Sequence, residues 1–237
     1  MDEAYIATRL LHRDASMLVL DKPAGLPVHR ERGAPPCETL TDWLEHLRFG
    51  LPRLPQVVHR LDRETSGCLV LGRHPRALSR LSELFASGTV GKLYWAVVEG
   101  VPDDASGTID IPLAEDPRSP HARRMRTDPT GKPARTHWRR LASADGQTWL
   151  ALQPETGRTH QLRVHCMAAG WPILGDRRYG RGQGPLLLHA RSLVIPFHPR
   201  KEALKVEAPP PPAFADAIGG FSVDPAISGY VPISTLR

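Results

Sequence analysis

The sequence predicts an α+β protein, and three observations carry that expectation. Short apolar runs bounded by turn residues recur along the chain, as in Met17–Asp21, Cys68–Leu71 and Gly91–Gly100, and these read as buried strands. Between them, Leu40, Trp43, Leu44 and Leu47, and then Leu78, Leu81, Leu84 and Phe85, fall at helical spacing. Finally, Ala144-Asp145-Gly146 separates two apolar stretches and reads as a hairpin turn.

Composition narrows the function before any motif does. The 237 residues are 41% hydrophobic and 24% charged, enough for one large domain or two smaller halves. A net charge of +6 favours a polyanionic partner. Nucleic acid is preferred over membrane, because the chain has no run of 18 apolar residues, no basic amphipathic helix and no leader-like start. A cytoplasmic monomer is therefore expected. Cys37, Cys68 and Cys166 are odd in number and far apart, which argues against a disulfide framework. No CxxC pair exists, and His160 and His165 are five apart, so no metal site is expected.

Taken in order, Met17–Asp21 reads as a strand running into the turn-rich Lys22-Pro23-Ala24-Gly25. Thr39, with Asp42 three residues on, has capping-box spacing for a helix ended by Gly50-Leu51-Pro52. His74-Pro75 opens a second helix and Gly88 stops it. Gly88-Thr89-Val90-Gly91-Lys92 is no phosphate loop, since its glycines are too close together. Gly107–Leu113 reads as a strand. From Arg118 to Arg140 there are seven arginines and Lys132 against one acid, Asp128, with prolines that forbid a continuous helix. Such one-signed density is costly unless an anion offsets it, which suits phosphate contacts. Arg118, Arg123, Arg124, Arg126, Lys132 and Arg135 are the expected RNA-binding cations. Strands flanking the hairpin turn follow, and Thr159 then has the chemistry to cap a helix running to about Ala169. Arg158, His160 and Arg163 crowd the start of that helix, where cations oppose the dipole; an anionic substrate or Asp62 would answer them. Residues 200–214 read as a closing strand and an extended proline tract, and residues 215–237 as a tail.

The most informative stretch is His59-Arg60-Leu61-Asp62-Arg63-Glu64-Thr65-Ser66-Gly67. Its charges alone would read as exposed ion pairs, each worth about 0–1 kcal/mol. The literal string decides otherwise, because it is similar to the "HRLDxxTSG" signature of the RluA-type pseudouridine synthases. Five further segments resemble that family in its own order: Asp21-Lys22-Pro23-Ala24-Gly25, Lys92-Leu93-Tyr94, Gly131-Lys132-Pro133-Ala134, Thr156-Gly157-Arg158-Thr159-His160-Gln161-Leu162-Arg163, and Gly175-Asp176 through Tyr179-Gly180. Leu188-His189-Ala190 with Leu193 and His198-Pro199 is like its last shared motif. The resemblance implies a mixed, mostly antiparallel sheet with flanking helices and a central cleft. It implies a lead-in over 1–16 and a catalytic domain over 17–214. It also points to the short members that lack an extra N-terminal RNA-binding domain.

The implied reaction isomerises uridine in ribosomal or transfer RNA: the N-glycosidic bond breaks, the uracil turns, and it rejoins through a ring carbon. Asp62 is the implied catalytic carboxylate, with Tyr94 stacking on the base and Arg163 keeping the carboxylate charged. Arg60 is implied to fill the space the base leaves, with His59, Lys92, Arg158 and His160 as further substrate contacts and Leu187 or Leu188 as an apolar wall. Unstacking the base costs a few kcal/mol and is least costly in a loop. Asp62 can attack the anomeric carbon as a retaining glycosidase does, take the 2′ hydrogen, or add to the ring, and the residues leave all three open. No cofactor is implied. Two other readings share these residues. A base-excising glycosylase would lower the RNA mass, and a non-catalytic RNA-binding protein would tolerate loss of Asp62. A serine hydrolase is disfavoured because no G-x-S-x-G occurs.

Overall fold

The computed structural model describes residues 3–30, 36–119 and 124–222. In chain order these form α1 (Glu3–Thr8), β1 (Leu10–Arg13), β2 (Met17–Lys22), a 3-10 turn (Leu40–Trp43), β3 (Gln56–Val57), β4 (Ser66–Gly72), α2 (Pro75–Ala86), β5 (Gly91–Glu99), β6 (Ser106–Asp110), β7 (Leu113–Glu115), β8 (Met125–Thr127), β9 (Arg135–Ala144), β10 (Gln147–Pro154), α3 (Gln161–Ala168), β11 (Leu188–Ile195), β12 (Leu204–Glu207) and α4 (Pro212–Ile218). This is the expected α+β class, rich in antiparallel pairing. The chain divides into two compact units, residues 1–91 with 190–210 and residues 92–189 with 211–237.

In the first unit the strand order is β1-β2-β4-β11, with β3 beside β4 and β12 beside β11. β2 and β4 pair antiparallel from Met17 opposite Gly72 to Lys22 opposite Gly67. Every residue of both strands is buried, so both faces are covered, which explains the unbroken apolar runs Met17–Leu20 and Cys68–Leu71 within them. Leu81 and Leu84 of α2 share a core with Met17, Val19, Cys68 and Val70, each such side chain worth about 1.5–3 kcal/mol when fully buried. His74 caps α2, its ring nitrogen accepting the Ala77 N–H at 3.1 Å, and Pro75 takes the first helical position. Gly67 has φ +106°, and a Cβ there would lie 2.2 Å from the Ala190 carbonyl oxygen. Only glycine lets β4 approach β11 so closely.

The second unit has the order β5-β10-β9-β6, all antiparallel, and β7 pairs β8 in a separate ribbon. Asp145 (φ 51°) and Gly146 (φ 73°) are consecutive left-handed residues, as a two-residue hairpin turn between twisted strands requires. Alternate residues of β10 face opposite ways. Leu150 and Leu152 pack with Leu162 and Cys166 of α3, whereas Trp149 and Ala151 pack with Phe214 of α4.

Four expected elements differ from those observed. The helix expected from Thr39 to Gly50 is one 3-10 turn. Its successors keep i→i+3 bonds (Leu47 N–H to Leu44, 3.2 Å; Arg48 N–H to Glu45, 3.3 Å), and Phe49 and Gly50 then turn left-handed. Even so, Asp42 accepts the Thr39 N–H at 2.8 Å, and Leu40, Trp43, Leu44 and Leu47 are all buried. The strand expected over Gly107–Leu113 breaks between β6 and β7 at Ile111-Pro112, where proline has no N–H to offer. Thr159 does not cap α3; His160 holds the N-cap position, with φ 53° and no side-chain capping bond. Part of the proline tract opens α4, with Pro212 at its first position, where a fixed φ and a missing donor cost nothing. Residues 1–16 hold α1 and β1, and most of the tail, 223–237, lies outside the described residues.

Candidate active site

Asp62 sits half-buried on the loop between β3 and β4. Leu61 before it and Thr65 and Ser66 after it are buried, so the carboxylate is held between two anchors. The Thr65 N–H donates to the Asp62 carbonyl at 3.1 Å and closes the turn. The next residue ties this turn to the one after β2. The Gly25 N–H donates to the Arg63 carbonyl at 2.9 Å, and Arg63 Nε donates back to the Gly25 carbonyl at 3.0 Å. His59 is engaged in the same scaffold: its Nε2 accepts the Val70 N–H at 3.0 Å, and its ring stacks on Phe85 at 4.3 Å. Arg60 is exposed.

Lys22, to which the sequence reading assigned no role, is the centre of this scaffold. It is fully buried at the end of β2. Its Nζ donates to the carbonyls of Pro23 (2.8 Å), Leu26 (2.9 Å) and Arg63 (3.0 Å). Three acceptors match the three protons of an ammonium. The signal was present in the sequence as Asp21-Lys22 closing an otherwise apolar strand. Burial pushes its pKa from 10.5 down to about 7, against the pull of Glu64, Asp62 and Asp21. The folded chain therefore releases a proton that the unfolded chain keeps, and stability rises with pH across that window. Between pH 7 and 9 the wild type should gain on the order of 2 kcal/mol relative to Lys22→Met. Urea titration of both proteins at several pH values checks this, and parallel curves would remove the buried ammonium from the account.

The second unit holds the other expected residues. Arg163 on α3 is buried and forms a two-pronged pair with Asp176, Nε to Oδ2 and Nη2 to Oδ1, both at 2.8 Å. Asp176 Oδ1 also accepts the N–H groups of Arg178 (2.9 Å) and Tyr179 (3.0 Å). Burial raises the Asp176 carboxyl, but Arg163 and these two N–H groups outweigh it and hold the group below 3.8. So a counter-charge for the basic helix start comes from an acid thirteen residues beyond Arg163, within the Gly175–Gly180 segment. The Tyr179 hydroxyl meets His160 Nδ1 at 2.8 Å. Gln161 fastens the turn before α3: its Oε1 accepts from the Arg158 N–H (3.0 Å) and the Thr156 hydroxyl (2.7 Å), and its Nε2 donates to the Arg135 carbonyl at 2.9 Å. Arg158 Nε donates to the Pro133 carbonyl. Tyr94 and Lys92 lie half-buried on β5, and burial lowers the Lys92 pKa. Leu188 is core, packed with Ala96, Leu162 and Ile173.

The basic segment is less one-signed in space than in sequence. Arg135 pairs with Asp110 at 2.5 Å and approaches Glu155 at 3.6 Å, while Arg126 pairs with Asp128 at 2.6 Å. Asp110 and Glu155, distant in sequence, and Asp128 within the segment thus supply part of the compensation expected of a ligand. Arg118, Arg126 and Lys132 remain exposed and Arg124 half-exposed; Arg123 lies outside the described residues. No helix among the described residues is long and apolar enough to cross a membrane.

A buried carboxylate–guanidinium pair and an anchored Asp62 loop on an antiparallel α+β frame define a class that comparison with known proteins identifies. Residues 16–168 match the RNA pseudouridylate synthase family, and the chain belongs to it. An uncharacterized RNA pseudouridine synthase of Zymomonas mobilis is 46% identical over 216 residues, 89% of this chain and 97% of that protein. Ribosomal large subunit pseudouridine synthase D of Nitrosomonas europaea is 39% identical over 74% of this chain, which spans only 51% of its length. In structure, the human RNA pseudouridylate synthase domain containing 4 matches with a TM-score of 0.78 and 30% identity, covering 92% of this chain and 94% of its own. The protein is an RNA pseudouridine synthase.

Proposed function

We propose that Asp62 is the carboxylate that drives isomerisation, and that the substrate uridines lie in stem-loops of large-subunit ribosomal RNA, transfer RNA, or both. The observation that carries the first part is the anchoring of the Asp62 turn by buried Lys22 and by the reciprocal Gly25–Arg63 bonds. A reacting group must be held to a fraction of an ångström, and such a shell does that. The second part is supported by relatives named as ribosomal large subunit synthases C and D. Tyr94 and Arg163 are proposed to serve the same reaction, with Arg60, His59, Lys92, Arg158 and His160 as substrate contacts. The bond between the ribose and N1 of uracil breaks, C1′ bonds to C5, and the C5 proton is lost while N1 gains one, so the RNA mass is unchanged.

Chemical tagging of pseudouridine in ribosomal and transfer RNA, from cells with and without this protein, tests the substrate. A uridine modified only when the protein is present is the expected result; identical maps would overturn the assignment. The exposed Arg118, Arg126 and Lys132 with half-exposed Arg124 should give a log–log salt slope of RNA affinity near about −3, and Lys132→Ala should reduce its magnitude by about 1. Filter binding between 50 and 200 mM salt measures both, and a flat response would remove the basic segment from binding.

A further inference from the structure

We propose that Tyr179 is a positioning residue for the reaction: its hydroxyl and ring set the β7–β8 ribbon in register with the first turn of α3, so that RNA gripped by the ribbon meets a correctly held Arg163. The inference rests on the reading above, in which the ribbon's arginines contact RNA and Arg163 serves the chemistry.

Tyr179 is buried and joins three pieces of the second unit. Its hydroxyl oxygen accepts the backbone N–H of Met125, the first residue of β8, at 2.8 Å. The same oxygen lies 2.8 Å from His160 Nδ1. The phenol, one donor and two acceptor lone pairs, serves both partners at once, the direction of the His160 bond following the histidine tautomer. The ring is flanked by two guanidinium groups, Arg124 from the ribbon at 5.4 Å and Arg163 from α3 at 5.2 Å. Its backbone N–H is held by Asp176, the partner of Arg163. One side chain therefore touches a ribbon backbone, a ribbon cation, the residue that starts α3 and the buried arginine of that helix.

His160 supplies a second, independent observation. It is one of three non-glycine residues among those described with positive φ, at 53°, a conformation that persists only where the surroundings over-determine it. Its ring bond to Tyr179 is such a determinant. A phenylalanine at 179 would keep the ring and its cation contacts while removing the bonds to Met125 and His160.

Tyr179→Phe is measured in the full chain on a structured RNA stem-loop, alone and combined with Arg124→Ala/Arg126→Ala. The expected result is RNA affinity within about threefold of wild type and a single-turnover rate at saturating RNA reduced roughly tenfold or more. In the ribbon-variant background the same change should have a much smaller effect, because the two act on one placement. An unchanged rate, or equal effects in both backgrounds, would overturn the inference. Should Tyr179→Phe fold poorly, His160→Asn tests the same link from its other end, since asparagine tolerates the left-handed backbone but is too short to keep the bond; a rate within twofold of wild type there overturns it as well. If Arg124→Ala/Arg126→Ala leaves both affinity and rate untouched, the ribbon carries no RNA, and the underlying reading fails along with this one. If it weakens binding while Tyr179→Phe changes nothing, this inference fails alone.

Discussion

Asp62→Asn is expected to lower pseudouridine formation by about 10³-fold or more while RNA affinity stays within about threefold, under 1 kcal/mol. The amide is nearly isosteric with the carboxylate. The Thr65, Gly25 and Lys22 bonds to this turn are accepted by the Asp62 and Arg63 carbonyls, which the substitution leaves in place. What disappears is the negative charge, and each of the three available roles needs it. An amide neither attacks the anomeric carbon, nor takes the 2′ hydrogen, nor adds to the uracil ring at a useful rate. Single-turnover kinetics on a mapped substrate, read beside filter binding, separates loss of chemistry from loss of grip. A variant that turns over at the wild-type rate would transfer the chemistry to another group. One that fails to bind RNA would make Asp62 a binding residue instead.

Asp176→Asn carries the largest expected effect on stability, about 3–5 kcal/mol. The carboxylate accepts four hydrogen bonds, two from Arg163 and one each from the N–H groups of Arg178 and Tyr179. An asparagine keeps one acceptor oxygen and turns an amide donor toward a guanidinium donor. Arg163 would then lose the two-pronged counter-charge that Asp176 supplies. The denaturant midpoint should fall with little change in slope, as it does when stability alone changes. The pH dependence follows from the lowered pKa of Asp176. A carboxyl more acidic in the folded chain stabilises it fully above the ordinary value of 3.8, and loses that contribution as the pH falls through the lower folded-state value. The gap between wild type and variant should therefore be widest near neutrality and close in strong acid. A constant gap from pH 7 to pH 2 would show that the charge of Asp176 is not what the variant loses.

Much of this was legible in the residues. Leu81 and Leu84 of α2 and the Asp145-Gly146 turn obeyed local rules of spacing and φ, and the structure kept them. Asp62 was singled out by the literal string around it and not by its charges, and the burial of Leu61, Thr65 and Ser66 beside it came only with the structure. What escaped were partnerships across sequence. Asp176 lies thirteen residues beyond Arg163, and Lys22 reaches forty-one residues to Arg63; neither separation is a multiple that any helix or strand period would mark. His160 escaped for a different reason. A histidine in a left-handed conformation at a helix start runs against preference, while Thr159 beside it obeys preference and was the natural choice. Tertiary bonds from Tyr179 and Gln161 overrode the local signal. The 3-10 turn at Leu40 shows the reverse case, in which apolar spacing correctly chose the buried residues but not the winding that buries them.

The reciprocal fastening of residue 63 bears on how this enzyme can change. Lys22 and Gly25 both seize the carbonyl oxygen of Arg63, an atom that every amino acid possesses. Glu64 is exposed, and substitution at 63 gives up only the return bond from Arg63 Nε to the Gly25 carbonyl, so both places can diverge while the backbone clasp on the Asp62 turn stays closed.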